Sequence, residues 1–317
     1  MQSSTIKASS INVLKNETKK SIILFERGMK MNNIFEDTKY LIKKYNVKAN
    51  KSLGQNFLIN QDVVNKIIES SNINKDDLVI EIGPGLGTLT KYLLEKAGKV
   101  LCIELDAKMI TILKDRFSLY NNFEVIHEDV LECNLNKIIE KEKEKNNLHN
   151  AKIVANLPYY ITTPIIMKLI EDELNLESIT VMVQKEVADR LIAVPGEKET
   201  GAITYTVYYY AQSEGILDVP KESFIPEPEV ISKVIKLNIR KQPIVKIENK
   251  DNMFKIIKYA FMQRRKTLLN SLTNSKIFSN KEEGLRILKE LNLDENIRAE
   301  KLRLEDYVNL TKKIKCK

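Results

Sequence analysis

Four consecutive residues, Asn156-Leu157-Pro158-Tyr159, follow the apolar run AKIVA at 151–155 and carry the most specific chemistry in the chain. At the carboxyl end of a buried strand, the Asn156 side-chain oxygen and the Leu157 carbonyl can both accept from the hydrogens of an exocyclic base amine. Such an amine is a poor nucleophile because its lone pair is delocalised into the ring. Two acceptors favour the pyramidal nitrogen that forms when it attacks. Pro158 fixes its own φ, helps to hold the carbonyl, and brings no competing N–H. Tyr159 offers a flat face on which an unstacked base can lie. Taken alone, the same four residues also fit a turn after a strand.

The upstream stretch LVIEIGPGLGTLT, residues 78–90, shifts that balance. Its apolar run reads as a buried parallel strand, Gly83, Gly85 and Gly87 let the backbone turn tightly and approach a ligand, and a helix begins at Thr88. The spacing is G-x-G-x-G, with Glu81 inside the strand, and not the G-x-G-x-x-G of dinucleotide binders. A second strand, KVLCIE at 99–104, ends in Glu104, placed to accept both hydroxyls of a ribose. A third strand over 123–126 delivers Asp129, which could accept from an adenine amino group; on position alone it serves equally as a turn or N-cap residue. A nucleoside ligand follows, and the missing phosphate grip favours S-adenosylmethionine (SAM) over NAD. The sulfonium methyl is already activated, so alignment and electrostatics suffice, with neither a general base nor a metal. His127 has no acid–base partner in the pattern and reads as structural.

The elements that must position these groups follow from periodicity. Helices are expected over 32–45, 61–70, 107–119, within 136–150, over 162–169 and 185–192, with a fourth strand at 151–155 and a fifth at 178–183. The polar loop PGEKETG follows, then Ala202 to Ala211, AITYTVYYYA, reads as a long Tyr-rich strand. Phe224 opens the stiff Pro-spaced loop FIPEPEV and is a candidate second face for the base, although such a Phe more often packs a loop. Residues 1–30 have no sustained hydrophobic period and are expected to form a disordered tail, with Met31 the expected natural start.

The 317 residues suffice for one large and one small domain. No stretch has the length of a membrane span, no signal-peptide core precedes the fold, and Cys102, Cys133 and Cys316 are too scattered for a disulfide framework or a zinc site. A cytoplasmic protein with free thiols is expected. The net charge of +8 is uneven: residues 240–317 hold 20 Lys and Arg against 10 Asp and Glu, whereas the preceding 239 residues carry 31 against 33. That concentration suits contact with a polyanion, and equally a solvated helical surface.

Together the motifs KSLGQNFL, EIGPGLGTLT, CIELD, EDVL, NLPYYITTP, FIPEPEV and QRRKTLLNSL resemble the ribosomal RNA adenine dimethyltransferase family, specifically its small-subunit branch, from about Lys51 almost to the C-terminus. The resemblance implies an α/β fold: a Rossmann-like, seven-stranded mixed sheet of the SAM-dependent methyltransferase type over residues 31–240, then a small all-helical RNA-docking domain over 241–317. It implies SAM contacted by Asn56, Leu58, Gly83, Glu104, Asp129 and Asn156, the target adenine between Tyr159 and Phe224, and RNA contacts from Arg264, Arg265 and Lys266. The partner it implies is small-subunit rRNA within a pre-30S particle, approached by a monomer. Where the family commonly has Asn-Ile-Ser after NLPY, this chain has Tyr160-Ile161-Thr162, which keeps a hydroxyl and sets a bulky ring beside the pocket. Two other functions stay open: an assembly factor that uses the fold as a binding module, and a large-subunit resistance methyltransferase, which the C-terminal motif disfavours.

Overall fold

The computed structural model describes residues 33–50, 53–263 and 265–314. The tail at 1–30, Lys51, Arg264 and Cys316 lie outside them. Within the described residues the order is α1 (Ile34–Lys44), β1 (Phe57–Leu58), α2 (Gln61–Ser70), β2 (Asp77–Ile82), α3 (Thr88–Lys96), β3 (Lys99–Glu104), α4 (Ala107–Arg116), β4 (Phe123–His127), α5 (Leu135–Asn146) and β5 (Asn150–Asn156). It continues through α6 (Thr162–Glu171), β6 (Ser178–Gln184), α7 (Lys185–Ile192), α8 (Ala202–Tyr210), β7 (Ala211–Val219), β8 (Phe224–Ile225) and β9 (Ser232–Ile239). Four helices close it: α9 (Lys250–Phe261), α10 (Leu268–Asn274), α11 (Lys281–Glu290) and α12 (Leu304–Lys313).

Seven strands form one sheet in the order β4-β3-β2-β5-β6-β9-β7, parallel through β6 and antiparallel at its last two members. Alternation along β2 sends Leu78, Ile80 and Ile82 to a core shared with α5, α6 and α7, and Val79 to the opposite core under α2, α3 and α4. Both faces are thus covered, as a parallel sheet requires. The order reverses between β2 and β5, so the loops after β2, β3, β4 and β5 converge on one crevice at the carboxyl edge.

The Tyr-rich segment is a correction. Residues 202–210 are the helix α8, and the strand begins only at Ala211. Its aromatic and β-branched residues favour strand locally, but the helix is apolar on nearly every side because it lies between the sheet and the C-terminal helices. Val207 joins the sheet core, while Tyr205 and Tyr209 join the cluster built by α9 to α12. The Tyr205 hydroxyl donates to the carbonyls of Leu302 (2.7 Å) and Ala299 (3.2 Å), and its ring meets Tyr307 edge-on at 4.8 Å.

No helix among the described residues is long and apolar enough to cross a membrane.

Candidate active site

The glycine loop forms the floor of the crevice. Gly83, Gly85 and Gly87 have φ of +64°, +57° and +81°, a left-handed backbone that glycine adopts without strain. A Cβ on Gly87 would stand 2.5 Å from the Phe117 ring, so this glycine is also demanded by packing. Around the loop opens a cleft. Asn56, Leu58, Gly83, Glu104, Asp129, Asn156, Leu157, Pro158 and Tyr159, scattered over a hundred residues of sequence, all line it.

Glu104 is nearly buried and held by three backbone donors: Leu105 and Asp106 N–H reach Oε1 at 2.9 Å each, and Gly85 N–H reaches Oε2 at 3.2 Å. Burial raises its pKa, an effect those N–H groups oppose. Three acceptor positions of the carboxylate are thus filled, and Oε2 is the freer oxygen. Asp129 Oδ1 accepts from Leu131 N–H at 2.9 Å, so it is a turn residue as well as a cleft residue. Among the described residues its Oδ2 has no partner.

At the other end of the cleft, the Asn156 amide donates through Nδ2 to the Asn56 carbonyl at 3.2 Å, and among the described residues its Oδ1 accepts no hydrogen bond. Leu157 is anchored by its N–H to the Met182 carbonyl at 3.1 Å, and among the described residues its own carbonyl accepts no hydrogen bond. Two unfilled acceptors thus stand side by side in sequence, as the amine chemistry demands. Tyr159 is half-buried, and its hydroxyl hydrogen-bonds that of Ser232, the fully buried first residue of β9.

Phe224 stands behind the cleft lining. Its side chain is 1% exposed, packs with Leu58, Met182 and Val234, and is absent from the cleft. The cause is the short β1–β8 pairing, which sets Phe224 opposite Leu58 and fixes its ring inward. Of the cationic motif, Arg265 and Lys266 are exposed in the turn between α9 and α10, while Arg264 is outside the described residues.

Sequence reasoning missed Ser232, for which no local signal exists, and did not draw on Glu81 for the site. Glu81 lines the cleft floor at 2% exposure, accepts from Thr90 Oγ1 at 2.6 Å, and is pushed by burial to a pKa of about 7. Its position one residue from the end of β2 was the available clue.

The residues present suit SAM: glycines with positive φ permit close backbone approach, a buried carboxylate ends β3, a part-buried one follows β4, and an acceptor pair stands at the end of β5. Fold and site together define a SAM-dependent methyltransferase. The family model for ribosomal RNA adenine dimethylase matches residues 46–315, and with that match the chain belongs to the ribosomal RNA adenine dimethylase family. It is 47% identical to ribosomal RNA small subunit methyltransferase A of Alkaliphilus metalliredigens over 277 residues, 87% of this chain and 96% of the relative. Identity to the Clostridioides difficile protein of the same name is 46%, covering 88% and 96%. Among solved structures, a dimethyladenosine transferase from Plasmodium falciparum superposes with a TM-score of 0.65 at 29% identity, over 80% of this chain and 95% of that one. The 23S rRNA methyltransferase ErmE shares the fold, with a TM-score of 0.62 at 21% identity, over 82% and 100%.

Proposed function

We propose that the protein converts two adjacent adenosines in the 3′-terminal hairpin of small-subunit rRNA to N6,N6-dimethyladenosine, in the cytoplasm, on a nearly complete pre-30S particle that it meets as a monomer. The observation that carries this reading is the pair of open acceptors, Asn156 Oδ1 and the Leu157 carbonyl, beside the half-buried Tyr159 ring. Bound in the cleft, SAM supplies an activated methyl group.

The chain's own residues do the rest. Glu104 and Asp129 orient the nucleoside half of the donor, and Tyr159 supports the flipped adenine. Asn156 and Leu157 accept the two amino hydrogens and so turn the nitrogen lone pair out of the ring toward the methyl. Each transfer would form an N–C bond as the donor's S–C bond breaks, leaving S-adenosylhomocysteine, with one proton passing from the nitrogen to solvent. After the first transfer one N–H remains, and a single acceptor still orients it. Arg265 and Lys266, in the turn between α9 and α10 of the basic C-terminal segment, supply phosphate contacts. The 46–47% identity to relatives named for the small subunit favours that substrate over large-subunit RNA.

The experiment is transfer of labelled methyl from SAM to small subunits lacking the adenine marks, alongside protein-free large-subunit RNA, with products resolved as nucleosides. Dimethyladenosine from small subunits alone is expected. Label in large-subunit RNA alone would assign the protein to the resistance enzymes, and tight particle binding with no label would make it an assembly factor.

A further inference from the structure

The cleft has an outer wall that the reaction above leaves unused. Tyr160 lines it while remaining 51% exposed. A Cβ built on Gly54 would stand 3.2 Å from Tyr160 Cδ1 and 3.7 Å from Cε1, so the ring lies directly against that glycine, whose φ is +60°. Gly54 belongs to a strap, residues 53–57, pinned across the cleft at two further points. Gln55 Nε2 donates to Asp106 Oδ2 at 2.9 Å, and the Asn56 carbonyl accepts from Asn156.

Two neighbouring tyrosines thus part company. Tyr159 directs its hydroxyl away to Ser232, whereas the Tyr160 phenol, raised by burial, is raised further by the charges of Asp129 and Glu104 and so lies in their field. These are the carboxylates at the ends of β3 and β4, on the nucleoside side of the cleft.

We propose that Tyr160 is the outer wall of the nucleoside half of the cofactor site, stacking on the adenosine of SAM and of its demethylated product and holding each against Glu104 and Asp129. The inference rests on the proposed methyltransferase reading and adds a residue to it. It also gives the ring a task in the reaction sequence: four methyl transfers require the spent cofactor to leave between steps, and the wall that retains the adenosine sets how fast that exchange occurs.

The test is calorimetric titration of the full chain and its variants with S-adenosylhomocysteine and with 5′-methylthioadenosine, which lacks the amino-acid end. Tyr160→Ala is expected to weaken both ligands by about tenfold, as loss of one aromatic–base stack does, and Tyr160→Phe to stay within about twofold of the parent. A second variant separates stacking from support of the strap. The chain contains no tryptophan, so Tyr160→Trp installs a lone indole whose emission both nucleosides, but not methionine, should quench. Unchanged affinities in Tyr160→Ala, loss for S-adenosylhomocysteine alone, or an indole blind to bound nucleoside would each overturn the inference while leaving the methyltransferase reading intact. A parent chain that binds neither ligand would overturn the reading and the inference together.

Discussion

The Tyr159 hydroxyl is tied to the hydroxyl of Ser232, 73 residues further along the chain, and this bond sets the aromatic platform of the candidate site against the buried start of an antiparallel strand. Tyr159 sits in a short 3₁₀ turn that could otherwise rotate; Ser232 belongs to the sheet and cannot. Ser232→Ala is expected to lower kcat/KM by about three- to tenfold, the worth of one neutral hydrogen bond. Tyr159→Phe should do the same, and the double variant should lose no more than either single one, which a double-mutant cycle on methyl transfer would check.

Asn156→Ala removes one open acceptor and the bond to the Asn56 carbonyl. If the acceptor acts on the reacting nitrogen as proposed, kcat is expected to fall by about 10²–10³-fold. Single-turnover kinetics would measure the loss, and particle binding in the same variant would show whether docking is separable from chemistry.

Glu81 makes stability depend on pH. Its pKa is raised to about 7 in the fold by burial, so between about pH 4.5 and 7 the unfolded chain loses a proton that the native chain keeps. Stability therefore falls as pH rises through that window and levels off above it, with Glu81 contributing up to about 3 kcal/mol of the decline. Glu81→Gln should flatten the curve, so its advantage over the parent in denaturant unfolding should be small at pH 5 and largest above pH 7.

Gly83 and Gly87 separate ligand approach from packing. Gly87→Ala drives a methyl into the Phe117 ring and is expected to cost about 1–3 kcal/mol of stability. At Gly83 the nearest atoms to an added Cβ are 3.7 Å away on Pro158, so Gly83→Ala should cost only the about 1–2 kcal/mol of a left-handed alanine, without a clash, and should also lose cofactor affinity. Thermal unfolding with and without S-adenosylhomocysteine would distinguish them.

Arg265→Gln and Lys266→Gln address docking. If each side chain meets one phosphate, each change should reduce the slope of log Kd against log salt by about one, roughly uniformly across RNA sequences. Binding to small subunits over a salt series would report it.

Much of this was legible in the chain itself. Helices Gln61–Ser70 and Lys185–Ile192 and the strand Lys99–Glu104 lie where periodicity puts them, because each has one binary pattern and clear end signals. Residues 202–210 fail the same test: Thr, Tyr and Val favour strand, and only burial on two sides makes the helix the better solution. At the site, the residues delivered by strand ends were readable from the fold they imply. Phe224 and Ser232 were not, since their positions depend on pairing with Leu58 and Gln184, partners 166 and 48 residues away.

The helix α8 has a consequence for how the enzyme selects its adenines. With Tyr205 bonded to two carbonyls beyond residue 298 and other residues of the helix embedded in the sheet core, the C-terminal helices are riveted to the catalytic body. If those helices dock the RNA as proposed, the protein works as a caliper of fixed jaw, its span from C-terminal helices to cleft set by the packing of α8. On that reading, passage from one adenine to its neighbour would come from the RNA moving within that gauge.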